Sequence, residues 1–231
     1  FKFEAAILTH PDMDHYLGFE EIFKNPKLGF KTVYQNGLVE RPVSGTFEKV
    51  GGVEKDPVDK KYYLKNLAQS RSDIEREFSD NSNFKNFTFP PVMYNALNNS
   101  NIDDFKMLST NASHSSIENG RSYMSKFSPS SGRPYSIEVL GPVTSEDSEG
   151  KIRLNRISSA YGKTKNGHSI LLRLHYGKYK ILFGELVKKY IPEGVEVEFM
   201  VGRGAIYDEV INYSEKINAD LIMLLNTNWD F

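Results

Sequence analysis

The run Phe3-Glu4-Ala5-Ala6-Ile7-Leu8 is apolar but for one glutamate. Just beyond it comes the hexapeptide His10-Pro11-Asp12-Met13-Asp14-His15. A short apolar run of this kind fits a strand buried on both faces, the kind found in sheets covered on each side. The hexapeptide therefore falls at the strand's carboxyl end. Beyond it, Phe19, Ile22 and Phe23 recur at helical spacing, Gly18 loosens the first turn, and Asn25-Pro26 stops the helix. Strand, loop and helix in this order predict an α/β fold.

Two imidazoles and two carboxylates within six residues suit a divalent metal ion. Both ligand types bind zinc, and carboxylates also accept harder ions such as manganese. The chain has no cysteine, so thiolate sites and disulfides are excluded and imidazole and carboxylate are the ligands left. On an extended segment His10 and Asp12 can point to one side, while Asp14 and His15 turn toward a second ion. Asp14 is also suited to orienting a hydroxide. The bland alternative is a surface turn in which Asp14 caps the following helix and the two histidines are idle.

This stretch resembles the hallmark loop of the metallo-β-lactamase-fold hydrolases, His-x-His-x-Asp-His after a strand. Here it is written His10-Pro-Asp12-Met-Asp14-His15, with aspartate at the third position. That form is similar to the branch containing the hydrolase domain of competence-type DNA-uptake proteins. A second stretch extends the resemblance. Asn166-Gly-His168-Ser169 leads into residues 170–176, a Gly177-Lys178 turn and residues 179–186, a β-hairpin pattern. In the family the second strand ends in a Gly-Asp whose carboxylate bridges the metals, and Gly184-Glu185 stands there in this chain. Glu185 is thus either the bridge, one methylene longer, or a solvated charge at a strand end.

The resemblance implies a partial αββα sandwich over residues 1–186. It also implies one or two zinc ions, with manganese or iron as alternatives, held by His10, Asp12, Asp14, His15 and Glu185. Asp14 doubles as a catalytic group and His168 stands behind the ligands. The implied reaction is hydrolysis by a metal-activated water, on a phosphodiester of a small molecule or nucleic acid, or on an ester. His175 alternates outward and reads as a surface residue. His114 is the histidine available for the family's middle ligand. It reads better as a solvated loop residue, because no strand leads into it.

Residues 41–134 are polar and punctuated by Gly51-Gly52, Pro90-Pro91 and Gly132-Arg133-Pro134, which predicts mainly loop and helix over the active-site face. Within them Tyr63, Leu64, Leu67, Ile74 and Phe78 predict a helix over 62–78. Tyr62, Tyr63, Phe84, Phe87 and Phe89 can stack on single-stranded bases, though such residues more often anchor a core. Ser136 to Leu140 predicts a strand. The chain opens inside a core strand, and the family's early hairpin and last ligand histidine have no match. The front part thus reads as an N-terminally truncated hydrolase domain.

Residues 187–231 change character. Val195–Val201 predicts a strand, Ala205–Ile217 a helix and Ala219–Leu225 another strand, a βαβ unit similar to the end of universal stress proteins. That family's phosphate-binding glycine loop has no counterpart, and Gly202-Arg-Gly204 reads as a tight turn. Two rival functions follow: a nucleotide-binding module of the stress-protein type, and a catalytically inactive truncated fragment. The composition is that of a soluble protein. It includes no apolar run near the roughly 20 residues of a membrane span, and a cytoplasmic address is expected. The net charge of -1 gives no global attraction to nucleic acid.

Overall fold

The computed structural model describes residues 1–183 and 221–222. In chain order it contains β1 (Lys2–Leu8), α1 (Met13–Tyr16), α2 (Phe19–Lys24), β2 (Gly29–Gln35), β3 (Val53–Lys55), β4 (Tyr62–Leu64), α3 (Arg71–Phe78), α4 (Phe89–Asn98) and β5 (Phe105–Met107). There follow β6 (Ser116–Glu118), β7 (Arg121–Tyr123), β8 (Tyr135–Gly141), β9 (Ser145–Glu146), β10 (Ile152–Asn155), α5 (Tyr161–Gly167), β11 (Leu171–Tyr176), β12 (Tyr179–Phe183) and β13 (Leu221–Ile222).

The apolar run forms β1, and the expected helix forms α2, which ends at Asn25. β2 returns parallel to β1, in register from Lys2↔Gly29 to Leu8↔Gln35. The crossover that a parallel pair requires is supplied by the loop at residues 9–12 and the two helices. β5 adds parallel to the far side of β2, and β13 adds parallel to β1 through Ala5↔Leu221 and Ala6↔Ile222. The resulting order is β13-β1-β2-β5.

Burial on both faces of β1 divides the interior into two layers. Ala6 and Leu8 join a cluster with Phe19 and Phe23 of α2, Ile74 and Phe78 of α3, and Val92 and Met93 of α4. Ala5 and Ile7 meet Ile137 and Val139 of β8 and Leu172 of β11. Those strands belong to a second, antiparallel sheet of order β12-β11-β8-β7-β6. Helices thus cover one face of the parallel sheet and the antiparallel sheet covers the other. Each large side chain fully buried here contributes roughly 1.5–3 kcal/mol.

A third, small antiparallel sheet, β3-β4-β10-β9, buries Leu64 and Leu154 with Leu38, Val50 and Met107. Its strand β10 delivers the chain to α5, at the edge of the ligand loop.

The predicted hairpin forms as β11 and β12, with Tyr176 opposite Tyr179. Gly177 turns the corner at a φ of +55°, a left-handed conformation that glycine adopts without steric cost. The strand expected at Ser136 forms as β8.

Two expectations for the middle of the chain are corrected. Residues 62–78 are not one helix. Tyr62–Leu64 is a strand paired with β3 and β10, and the helix begins only at Arg71. Ser70 starts it with a capping box, accepting from the Asp73 amide while the Asp73 carboxylate accepts from the Ser70 amide. The segment 41–134 holds five short strands beside its two helices. Those helices pack in the core layer on the outer face of the parallel sheet. Of the predicted tail, the strand and helix over 195–217 lie outside the described residues, as do Gly202-Arg-Gly204 and Glu185. The described part of its last strand, Leu221–Ile222, joins the sheet of β1. Among the described residues no helix is long and apolar enough to cross a membrane.

Candidate metal centre

The hexapeptide emerges at the carboxyl end of β1, beside the carboxyl end of β2, where open parallel sheets collect their ligands. Two long-range bonds close the place from the other side of the chain. The Ile170 amide donates to the Thr9 carbonyl at 2.9 Å, and Asn36, just after β2, donates through Nδ2 to the His168 carbonyl at 2.9 Å. The turn between α5 and β11 is thereby fixed against the ligand loop.

Asp12 stands at the N-cap position of α1 with extended backbone, yet its carboxylate makes no capping bond. It is used elsewhere. Oδ2 lies 3.2 Å from His10 Nε2, and Oδ1 is paired with the ammonium of Lys165. Asn166, its amide oriented by its acceptors, donates to Asp12 Oδ2 at 2.8 Å and to the Gly162 carbonyl at 3.0 Å. Asp14 sits in the first turn of α1, about half exposed, with Oδ2 3.7 Å from His15 Nε2.

Neither histidine is idle. His10 is 4 % exposed, and its ring centre is 3.9 Å from that of His15. His10 Nδ1 is 3.1 Å from Ser169 Oγ, and His15 Nδ1 is 3.0 Å from Thr9 Oγ1. Both imidazoles are therefore held by hydroxyls at Nδ1 and present Nε2 to a carboxylate. This is the way ligating histidines are ordinarily oriented by their outer partners. Burial, and then the neighbouring His15, holds the His10 imidazole below the usual histidine range, which favours the neutral form a metal ligand requires.

No family model, curated protein or solved structure matches the chain.

Among the described residues no three metal-ligating side chains converge on one point. The loop instead offers two pairs, His10 with Asp12 and His15 with Asp14, whose rings lie against each other. Each pair alone supplies two protein ligands, fewer than the three that a catalytic zinc site ordinarily takes.

Three residues that sequence reasoning passed over complete the setting. Lys165 of α5 reaches Glu40 Oε1 at 2.9 Å as well as Asp12, and the Pro11 carbonyl lies 3.3 Å from its ammonium. Tyr161, one turn earlier on α5, donates to the same Glu40 oxygen at 2.8 Å. Burial would lower the Lys165 pKa, but the bonds to Asp12 and Glu40 outweigh it and the ammonium is held above its usual range. Burial, then the Glu40 charge, pushes the Tyr161 phenol up, so it stays a donor.

The other histidines are used differently from expectation. The ring of His168 turns from the loop and donates through Nε2 to the Asn155 carbonyl at 2.7 Å, while its neighbour Ser169 is the residue that touches His10. His114 is not simply solvated. β5 ends seven residues before it, and its ring is half-buried between Ser109 Oγ at 2.8 Å and Gln69 Oε1 at 3.1 Å. His175 does alternate outward, but it is tied to the buried Glu138 at 2.6 Å rather than left in solvent.

Proposed function

We propose that this chain is a metal-dependent hydrolase built as a partial metallo-β-lactamase-like sandwich, acting on a phosphodiester or an ester. The observation that carries the reading is the pair of Nδ1-anchored imidazoles, each presenting Nε2 to an aspartate of the same loop. His10 with Asp12 and His15 with Asp14 would hold one or two ions, with Glu185 as a further candidate ligand. A bound divalent ion supplies Lewis acidity and lowers the pKa of water near neutrality.

The chain's own residues do the rest. Thr9 and Ser169 fix the ring orientations, which keeps both Nε2 atoms available without reorganisation. Asp14 is the more exposed of the two loop carboxylates, which supports giving it the proton of the attacking water. The resemblance to the DNA-uptake branch favours a phosphodiester.

The test is elemental mass spectrometry on the chain purified without added metal, beside the His10→Ala, His15→Ala double variant, with hydrolysis of bis(p-nitrophenyl) phosphate as the activity readout. Near-stoichiometric zinc, manganese or iron, lost in the variant together with hydrolysis, is the expected result. A folded chain that takes up none of these ions when they are supplied overturns the reading.

A further inference from the structure

Among the aromatic residues that the sequence offers for stacking on bases, Tyr63, Phe84 and Phe89 are buried and Phe87 is half-buried, but Tyr62 is 40 % exposed. Tyr62 lies on β4, in the small sheet. Lys55 of β3 is opposite it in register on one side. On the other side the Arg156 amide, just past β10, donates to the Tyr62 carbonyl at 2.8 Å. Side chains level with one another on adjacent strands share a face. The Arg156 guanidinium accordingly lies 4.1 Å from the centre of the Tyr62 ring and the Lys55 ammonium 5.6 Å from it. Two residues along the same strands, Leu64 and Leu154 are buried in the core, so the row forms the solvent end of that face.

The two cations of this row lack a carboxylate. Every other arginine among the described residues has one within 4.0 Å, and Arg156 has none. The carboxylates nearest to Lys55 in sequence are used elsewhere. Glu54 alternates to the opposite face and meets Arg153 at 2.7 Å. Asp56 accepts from the amides of Val58, Asp59 and Ser148, and Asp59 accepts from the Tyr63 hydroxyl. One exposed ring thus gathers two cations whose charges no described residue answers. A guanidinium lying over an aromatic ring keeps its in-plane N–H groups for the oxygens of a phosphate.

We propose that the row of Lys55, Tyr62 and Arg156 is a contact surface for a single strand of nucleic acid. Lys55 and Arg156 take phosphates, and the stack of Tyr62 and Arg156 takes a base, since bases pack on aromatic rings and on guanidinium planes alike. A duplex keeps its base faces covered and would leave the ring unused, and an acidic peptide would use the cations without it. The net charge of -1 supplies no long-range attraction, so the contact is local and sensitive to salt. This surface is separate from the ligand loop, and the inference does not depend on the metal reading.

The test is fluorescence anisotropy of a fluorescein-labelled oligothymidylate of about 12 nucleotides. It is titrated with the chain at low salt in the presence of a chelator, so that neither metal nor hydrolysis enters. The expected result is binding that falls by about 5- to 100-fold in Tyr62→Leu and in Arg156→Met and is kept in Tyr62→Phe. Lys85→Met, which removes an exposed lysine from another part of the chain, should change nothing. Lys55→Met should weaken binding and make it less dependent on salt. Wild-type affinity in Tyr62→Leu and Arg156→Met overturns the proposal, and so does a wild type that does not bind. Polyglutamate competing as well as unlabelled oligothymidylate also overturns it, because the row would then be a contact for any polyanion. Circular dichroism checks folding, and if Tyr62→Leu does not fold, Arg156→Met decides.

Discussion

Ser169 Oγ lies 3.1 Å from His10 Nδ1, across 159 residues of sequence. A serine that opens the last hairpin thus determines how a histidine at the end of the first strand is turned. Outer partners of this kind are worth about 10–100-fold in metal affinity. On the proposed metal-dependent function, Ser169→Ala is expected to weaken zinc binding by about that factor while changing the melting temperature little. Competitive titration against a chelating dye checks it, and an affinity equal to the wild type would show that Ser169 merely fills space.

Asn99 is a second buried fastener, on the other side of the sheet. Its Nδ2 donates to the carbonyls of Phe23, Asn25 and Leu28 at 3.0, 3.2 and 3.0 Å, tying the turn between α2 and β2 to the end of α4. Removing the amide leaves buried carbonyls without that donor, so Asn99→Ala should cost about 2–3 kcal/mol in urea unfolding. A loss below about 0.5 kcal/mol would mean that water replaces the amide.

Glu138 is buried on β8 and receives Arg173 Nε at 2.9 Å and His175 Nε2 at 2.6 Å, both from β11. Burial would raise its pKa, but these bonds outweigh it and keep the carboxyl below its usual range. Glu138→Gln keeps the shape and removes the charge that both partners use. A loss of about 1–3 kcal/mol is expected. The double change with Arg173→Met should cost less than the two single losses added together, because each single change strands a partner. Strict additivity would refute the coupling.

Acid sensitivity follows from two histidines outside the ligand loop. Burial holds His114 and His168 below their ordinary value of 6.5, against the opposing bond from His168 to the Asn155 carbonyl. A histidine with a depressed folded pKa takes up its proton more readily in the unfolded chain. Its contribution to stability is therefore complete above pH 6.5 and drains away as the pH falls below that value toward the depressed one. The melting temperature should drop between about pH 7 and pH 5, and His168→Gln should make the drop shallower. A flat profile in the wild type would mean that both rings titrate normally.

How much of this was readable in the sequence depended on whether the information was local. The apolar run 3–8 specifies β1 because burial on both faces needs apolar side chains at successive positions. Gly177-Lys178 specifies the hairpin because the corner needs a left-handed residue. The two imidazoles and two aspartates were legible for the same reason, since one short loop carries them all. Residues 62–78 misled because Tyr63 and Leu64 fit either a helical or a β register, and the capping box at Ser70 was the overlooked signal that the helix starts later. Lys165 and Glu40 had no local signature. A lysine in a polar helix and a glutamate in a loop look solvated until the fold brings them together at 2.9 Å. In Asn166-Gly-His168-Ser169 the imidazole carries the stronger chemical signature, but the Ser169 hydroxyl is the group in contact with His10.

β1 has one neighbour from close by in the chain, β2, and another, β13, that lies more than two hundred residues away. During synthesis the strand beneath the ligand loop is therefore paired early on one side and open on the other until Leu221 and Ile222 have been made. An open, apolar parallel edge of that kind is slow to close and invites pairing with the same edge of another chain. The yield of correctly assembled protein should accordingly depend on what shields Ala5 and Ala6 while the ribosome is still at work.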